Sequence, residues 1–76
     1  MSPPSVNSVS VLAGHLVLRL VDGRQLRFAL DRFPRLARAT PEARQRFEIL
    51  GEGEGIQWPE IDEDLSVSGL LAIHDE

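Results

Sequence analysis

The sequence lacks cysteine and lysine altogether, and each absence excludes a class of site. A chain without cysteine forms neither a disulfide nor a thiolate metal site, so nothing in it indicates an oxidising compartment. A chain without lysine cannot form a P-loop, in which a lysine reaches the nucleotide phosphates. Aromatic residues make up only 5% of the chain, which leaves few side chains for stacking on nucleic-acid bases.

Long apolar runs are also missing. The longest nearly apolar segment is Leu16–Val21, and Arg19 interrupts it, whereas a membrane-spanning helix needs about 20 apolar residues. The first residues, Met1–Ser5, lack the basic and apolar regions of a secretory signal. We therefore expect a chain that does not cross a membrane and that resides in the cytoplasm.

The 76 residues are enough for one small domain. We expect a single unit over residues 1–76, with a loose Pro/Ser-rich segment over 1–7 and a loose tail over 73–76. A core of this size rarely supplies more than about 3–5 kcal/mol of stability by itself.

Charge is divided unevenly between the two halves of the chain. All eight basic residues are arginines, and all lie between Arg19 and Arg46. Residues 1–46 carry eight arginines and three acids, a net charge of +5, whereas residues 47–76 carry nine acids and no base, a net charge of −9; the sum is −4. Either the halves neutralise each other within one fold, which is the simpler interpretation, or one of them forms an interaction surface.

Alternation of apolar and polar residues predicts three strands in the first half of the chain. The segments Ser8–Ala13, Leu16–Val21 and Gln25–Leu30 each alternate, which is typical of half-buried strands. Gly14 separates the first two segments, and Asp22-Gly23 separates the second from the third. Asp-Gly between two alternating segments is a strong hairpin signal.

The length of the Asp-Gly loop decides which side chains share a face. A two-residue loop would place the apolar residues of the two strands on opposite faces, because a one-residue slip reverses every side chain. A three-residue loop, Val21–Gly23, pairs Leu18 with Leu26 and Leu16 with Phe28, and it places Gly23 at the left-handed position of the turn. We therefore predict the three-residue loop.

The remaining elements are predicted from capping and turn residues. A short helix is expected over Asp31–Arg38 with Asp31 as its cap, and a second helix from the Thr40 cap to about Arg46. Two further strands, 47–50 and 55–58, flank a flexible acidic turn over 51–54, with Trp58 as a core anchor.

A final helix over 65–72 is expected to be capped by Asp62 and Asp64. The resulting fold class is α+β: a small antiparallel sheet, made of a three-stranded meander plus a second hairpin, packed with two or three short helices.

None of the short motifs predicts a catalytic, cofactor or metal site. The glycines of the 51–55 run have the wrong spacing for a dinucleotide fingerprint, and the glutamates between them would repel an anion. Asp62-x-Asp64-x-Ser66 resembles the start of a calcium loop but lacks its glycine and its final glutamate. Two histidines without a third clear ligand do not make a zinc site. We therefore expect a protein that is not an enzyme.

Three of the arginines recur at every third position: Arg32, Arg35 and Arg38. Guanidinium groups suit both phosphates and carboxylates. The negative net charge and the scarcity of aromatic residues make nucleic acid an unfavourable partner, so pairing with a protein or with the acidic half is preferred.

The order of several residues resembles domain-of-unknown-function family 2442. The resemblance rests on Leu18-x-Leu20-x-Asp22-Gly23-x-x-x-x-Phe28 and on Gly55-Ile56-x-Trp58-Pro59-x-Ile61-Asp62-x-Asp64-Leu65-Ser66, and it extends roughly from Val9 to Leu71. It implies a small α+β fold with an antiparallel sheet and no established catalytic residues. It also implies an antitoxin-like component of a small bacterial two-gene module.

These observations lead to a hypothesis and its alternatives. The leading hypothesis is a non-enzymatic protein that binds a small protein partner, such as a basic toxin-like protein, through its acidic segment over 48–64. The candidate partner-binding residues are Glu52, Glu54, Glu60, Asp62, Glu63, Arg32, Arg35 and Arg38. The alternatives are a homodimer formed by an exposed sheet edge, an inhibitor from a phage or mobile element that imitates nucleic acid with its carboxylates, and a nucleic-acid-binding arginine surface.

Overall fold

The computed structural model describes residues 5–74, which form two antiparallel three-stranded sheets and three short α-helices. Sheet A has the strand order β1-β2-β3 and sheet B the order β4-β5-β6. The elements in chain order are β1 Val6–Leu12, β2 His15–Leu20, β3 Gln25–Ala29, α1 Pro34–Arg38, α2 Pro41–Arg44, β4 Glu48–Leu50, β5 Gly55–Trp58, β6 Glu63–Ser66 and α3 Val67–His74. Short 3₁₀ turns span Leu30–Arg32 and Pro59–Ile61. The predicted α+β class is confirmed.

The hairpin of β2 and β3 has the predicted register. Leu16 pairs with Phe28 and Leu18 with Leu26, and the Leu20 N–H donates to the Arg24 carbonyl at 2.8 Å. Gly23 has φ +94°, a conformation that glycine adopts without strain. A hydrogen bond from the Arg24 backbone N–H lowers the pKa of the Asp22 carboxyl, and the Arg24 guanidinium adds to this effect. The turn is therefore held by local polar contacts while the strands point their large apolar residues to one face.

Strand β1 begins earlier than predicted and ends earlier too. It starts at Val6, which pairs with Leu20 and is buried, so residues 6 and 7 of the segment expected to be loose belong to sheet A. Ala13 belongs to a two-residue turn in which it has φ +51° and Gly14 has φ +76°. Likewise α3 reaches His74, within the tail expected to be loose. Residues 1–4, 75 and 76 of these two expected segments lie outside the described residues.

The first helical segment is divided in two, and its predicted cap is wrong. Asp31 lies inside the 3₁₀ turn, and α1 begins after it with Pro34 at the first helical position, where the absent N–H costs nothing. The predicted cap of the second helix is confirmed, because the Thr40 hydroxyl accepts the Ala43 N–H at 3.1 Å. That helix ends at Arg44, two residues short of the predicted Arg46.

Sheet B contains a third strand that replaces the predicted acidic helix cap. Asp62 adopts a left-handed conformation with φ +56° at the end of a 3₁₀ turn, and Asp64 lies within β6. The actual cap of α3 is Ser66, whose hydroxyl accepts the Gly69 N–H at 2.9 Å. The strand forms because Leu65 pairs with buried Ile56, so that sheet packing outweighs the low strand preference of the acids.

One apolar cluster is shared by both sheets and by the helices. Trp58 is fully buried within it, as predicted for a core anchor, and its indole N–H donates to the Arg44 carbonyl at 3.0 Å. The Arg44 guanidinium in turn donates to the carbonyls of Leu36 and Ala37 in the last turn of α1, at 3.0 and 2.6 Å. The buried members of the cluster are Val6, Leu16, Leu18, Leu20, Leu26, Phe28, Leu30, Phe33, Leu36, Ile56, Trp58, Val67 and Leu70.

The glycine-rich turn of sheet B is joined to the first strand of sheet A. The Val6 N–H donates to the Gly53 carbonyl at 2.8 Å, and the Val67 N–H donates to the Glu54 carbonyl at 2.9 Å. A Cβ at Gly53 would lie 2.7 Å from the Val6 carbonyl oxygen and 2.9 Å from the Val6 nitrogen. The turn was predicted to be flexible, but its backbone instead ties the two sheets together.

Within residues 5–74, no helix has both the length and the apolar character needed to cross a membrane.

We predict that Gly53→Ala destabilises the domain much more than Gly23→Ala. Both glycines have nearly the same φ, +92° and +94°, so the conformational cost of alanine, about 1–2 kcal/mol, is shared. A Cβ meets no atom within 4 Å at Gly23 but collides with the Val6 backbone at Gly53. The collision should add about 1–3 kcal/mol, which urea denaturation of the two variants will measure. If the two variants lose the same free energy of unfolding, the close contact between Gly53 and Val6 does not contribute to stability.

We predict that Arg44→Lys lowers the free energy of unfolding by about 1–2 kcal/mol, although it conserves the charge. A lysine ammonium cannot reproduce the planar fork that reaches the carbonyls of both Leu36 and Ala37. Arg38→Lys is the matched control, because Arg38 is exposed and makes no ion pair or side-chain hydrogen bond with residues 5–74; it should change stability by less than about 0.5 kcal/mol. Chemical denaturation of both variants checks the prediction, and similar values would contradict it.

Candidate functional site

The face of sheet A that points away from the apolar cluster is basic. In its rows of paired residues, Ser8, Arg19 and Gln25 lie side by side, followed by Ser10, Val17 and Arg27. Arg19 and Arg27 occupy diagonal positions on neighbouring strands, and both are exposed. The third row, Leu12, His15 and Ala29, adds no acid, so this surface, the basic face, carries charge of one sign.

The corresponding face of sheet B is acidic. Glu48 pairs with Gln57, and Gln57 pairs with Asp64, so the two carboxylates flank an uncharged residue across the three strands. Both acids are exposed, and the next row consists of Leu50, Gly55 and Ser66. We call the row of Glu48, Gln57 and Asp64 the acidic face. The charge division of the sequence thus corresponds to two surfaces of opposite sign on two different sheets.

Few contacts neutralise this division within the described part of the chain. The only ion pair there that joins the two halves is Arg46–Glu60, with 3.0 Å between Nη1 and Oε1, and its side chains are 65% and 46% exposed. An exposed pair of this kind contributes little, about 0–1 kcal/mol. Among residues 5–74, four arginines have no ion pair and no side-chain hydrogen bond: Arg19, Arg27, Arg32 and Arg38.

The predicted acidic residues are distributed over several elements. Glu52 and Glu54 are exposed in the turn between β4 and β5, and Glu60 is occupied by its pair with Arg46. The Asp62 backbone carbonyl accepts a hydrogen bond from Arg35, while its carboxylate is exposed. Glu63 is half-buried on β6 opposite Trp58. The structure therefore does not gather these five residues into one cluster.

The predicted arginine repeat is divided in a similar way. Arg35 contacts the acidic half, with its Nη1 donating to the Asp62 carbonyl at 2.6 Å. Arg38 is exposed on α1. Arg32 belongs to the 3₁₀ turn before α1 and faces a groove. The three residues therefore have three different surroundings and do not form one binding surface.

The groove beside Arg32 lies between β3 and the end of α3 and has a volume of about 300 Å³. It is lined by Arg27, Phe28, Ala29, Arg32, Ile73 and His74. The imidazole of His74 packs edge-on against the Phe28 ring, with 5.4 Å between the ring centroids. Among residues 5–74 the lining contains no carboxylate, hydroxyl or thiol that could exchange a proton with His74.

Titratable groups elsewhere show no catalytic arrangement in the described range. No three His, Asp or Glu side chains of residues 5–74 are grouped to hold a metal ion. The pKa of Asp22 is lowered by hydrogen bonds from Arg24 within the local turn. Among the buried residues of this range none is polar or charged.

The charged faces include four residues that were not individually proposed from the sequence: Arg19, Arg27, Glu48 and Asp64. A signal for the two arginines was present, because the predicted register of β2 and β3 that turns the leucines inward also turns Arg19 and Arg27 outward. No comparable signal marked Asp64, because the sequence around it favours a helix cap and gives no alternation that would identify β6.

Comparison with known proteins identifies the family. The family model described as "Protein of unknown function (DUF2442)" matches residues 6–75. A protein of unknown function from Rhodospirillum rubrum ATCC 11170, solved by crystallography, is 27% identical, with a TM-score of 0.78 over 93% of this chain and 88% of that one. An uncharacterized protein from Chromobacterium violaceum, solved by NMR, is 33% identical, with a TM-score of 0.75 over 90% of this chain and 64% of that one. No curated protein matches the chain.

The family match extends over most of the chain and agrees with the resemblance in the hairpin and the Trp-Pro segment. The chain therefore belongs to the DUF2442 family of proteins of unknown function.

Proposed function

We propose that this chain is a non-enzymatic protein-binding domain that holds a small basic protein against the acidic face of sheet B. We further propose that it acts in the bacterial cytoplasm as the antitoxin-like component of a two-gene module, which is what the family resemblance implies. The basic face of sheet A takes no part in this contact.

The observation that carries the proposal is the placement of charge on sheet B. Glu48 and Asp64 are exposed on one row, with no basic residue on that face and no ion pair to either among residues 5–74. The exposed glutamates of the adjoining turn, Glu52 and Glu54, extend the same charge. A surface of one sign attracts a partner of the opposite sign, raises the association rate and opposes wrong partners.

The shape of the face supports a protein as the ligand rather than a small molecule. Small-molecule sites are concave and bury most of the ligand surface. A row of side chains across three strands, two of them exposed carboxylates, is instead an open surface, and Leu50 of β4, which is 40% exposed, lies on the same face in the next row. Charged residues around an apolar contact are typical of the rim of a protein interface.

The surroundings of the titratable groups support a role other than catalysis. Catalytic acids and bases have displaced pKa values because burial and neighbouring charges act on them. Asp22, whose pKa is lowered, is exposed in a hairpin turn and is paired with its neighbour Arg24.

We predict that a basic partner binds in a salt-dependent manner and that neutralising the acidic face weakens the complex. The full chain, tagged and expressed in its native host, is recovered at low and at high salt, and stoichiometric partners are identified by mass spectrometry. For a purified partner, Glu48→Gln/Asp64→Asn should raise the Kd roughly tenfold, since two exposed charge contacts contribute about 1 kcal/mol or slightly more. Isothermal titration calorimetry measures this change.

The matched control is Arg19→Gln/Arg27→Gln, which removes two exposed charges from the opposite surface and should leave the Kd unchanged or slightly improved. Recovery of no stoichiometric protein at low salt contradicts the proposal. So does a partner whose affinity responds to the arginine variant and not to the acidic one.

The antitoxin-like role has a separate test. Expression of the partner alone should slow growth of the host, and co-expression of this chain should restore it, while Glu48→Gln/Asp64→Asn should restore it less well. A partner that leaves growth unchanged would retain the binding role but remove the antitoxin-like one.

A further inference from the structure

Strand β1 is the one edge of the two sheets that carries no charged side chain. Its sequence, Val-Asn-Ser-Val-Ser-Val-Leu over Val6–Leu12, contains no charge, no proline and no glycine. Natural proteins protect sheet edges with charged residues, prolines or short strands, because an open edge pairs with other chains. At seven residues β1 is also the longest strand among residues 5–74.

The other three edge strands are protected against pairing with themselves. Strand β3 carries Arg27 and packs against α3, β4 carries Glu48, and β6 carries Glu63 and Asp64. Each of these edges has charge of a single sign, so a two-fold axis would bring like charges together. Only β1 can meet a copy of itself without that repulsion.

The free backbone groups of β1 can be assigned from the hairpin. The two-residue turn makes Leu12 and His15 a hydrogen-bonded pair, and alternation then directs the N–H and C=O groups of Ser10 and Ser8 to β2. Those of Val9 and Val11 therefore point outward. Within residues 5–74 the N–H groups of Val9 and Val11 donate no hydrogen bond and their carbonyls accept none, whereas the outward N–H of Val6 already donates to the Gly53 carbonyl. The open part of the edge is therefore the stretch beyond the Val6 contact.

The open stretch has the same chemistry when read in either direction. Val9-Ser10-Val11 is symmetric about Ser10, so a two-fold axis at Ser10 pairs valine with valine and serine with serine, residues that are uncharged and matched in size. We propose that a second copy of this chain pairs antiparallel with β1 across a two-fold axis at Ser10, which joins two A sheets into one six-stranded sheet. This inference is independent of the proposed function, since it uses the other sheet.

The register centred on Ser10 satisfies both the backbone and the side chains. Val9 of one copy pairs with Val11 of the other, and their outward N–H and C=O groups bond to each other. Both valines are half-buried on the inner face, so the partner strand covers the part still exposed. In this register, Ala13 and Gly14 of each turn lie near Gly53 of the other copy. All three residues have a small side chain or none, so the turn and Gly53 can lie close together.

The charges of the basic face do not oppose this arrangement. In the joined sheet, the strands that carry Arg19 in the two copies are separated by three strand spacings, about 14 Å. This exceeds the screening length of about 8 Å at physiological ionic strength. The absence of like-charge repulsion therefore favours β1 among the edges, and salt should have little influence on the association.

We predict that the purified chain is a dimer by light scattering after size exclusion, and that Ser10→Lys makes it a monomer. Ser10 is exposed on the outer face of the edge, so lysine leaves the monomer fold intact but places two ammonium groups opposite each other across the axis. Gln25→Lys adds the same charge at the opposite edge of sheet A and should remain a dimer. A wild-type monomer at the highest attainable concentration overturns the proposal, as does a Ser10→Lys dimer.

The absence of cysteine permits a direct test of the register. A single Ser10→Cys should form a disulfide-linked dimer under mild oxidation, because a non-hydrogen-bonded pair brings the two Cα atoms to about 4.5 Å. Ser8→Cys should not, since its counterpart lies four residues further along the strand, about 13 Å away. Non-reducing electrophoresis distinguishes the two, and equal cross-linking of both variants would refute the register centred on Ser10.

Discussion

The fold depends on one constraint, which is that a chain without covalent cross-links must bury most of its large apolar side chains in one place. Leu16, Leu18 and Phe28 from sheet A and Ile56 and Trp58 from sheet B meet in a single cluster. A sheet of three strands needs an apolar surface to pack against, and the two sheets share one apolar cluster. The joint between Val6 and Gly53 and the bonds of Arg44 to α1 follow from this need, since both hold separate elements against the shared core.

The same constraint separates the charges. Strand side chains alternate, so a sheet that turns its leucines inward turns the residues between them outward. In sheet A those residues include Arg19 and Arg27, and in sheet B they include Glu48 and Asp64. The charge division along the chain is thereby converted into two surfaces of opposite sign, with one exposed ion pair between the halves among residues 5–74. Over the described range, the simpler interpretation, in which the halves neutralise each other, is supported by that pair and by the bond from Arg35 to the Asp62 carbonyl.

Features that depend on residues close together in the sequence were predicted correctly, whereas features that depend on contacts between distant segments were missed. In the Asp-Gly hairpin, the apolar residues of both strands share one face only if Leu18 pairs with Leu26. The Thr40 cap depends on residues three positions apart. Strand β6 could not be predicted, because Glu63 and Asp64 become strand residues only through pairing with β5. The hydrogen bond between Val6 and Gly53 joins residues far apart in the chain, and no local sequence pattern predicts it. Candidate site residues chosen by sequence clustering therefore proved scattered, whereas residues chosen by register share a face.

The two proposed contacts lie on different sheets, and this has a consequence for how they combine. The β1 edge belongs to sheet A and the acidic face to sheet B, so pairing of two copies leaves both acidic faces free. A dimer would present two such faces at a fixed spacing. A partner with two basic sites, or one that is itself dimeric, would then bind its second site at high effective concentration, and modest charge contacts would yield tight retention. Weak individual contacts of about 0.5 kcal/mol per charge pair are therefore compatible with stable binding of the partner, provided that the chain is dimeric.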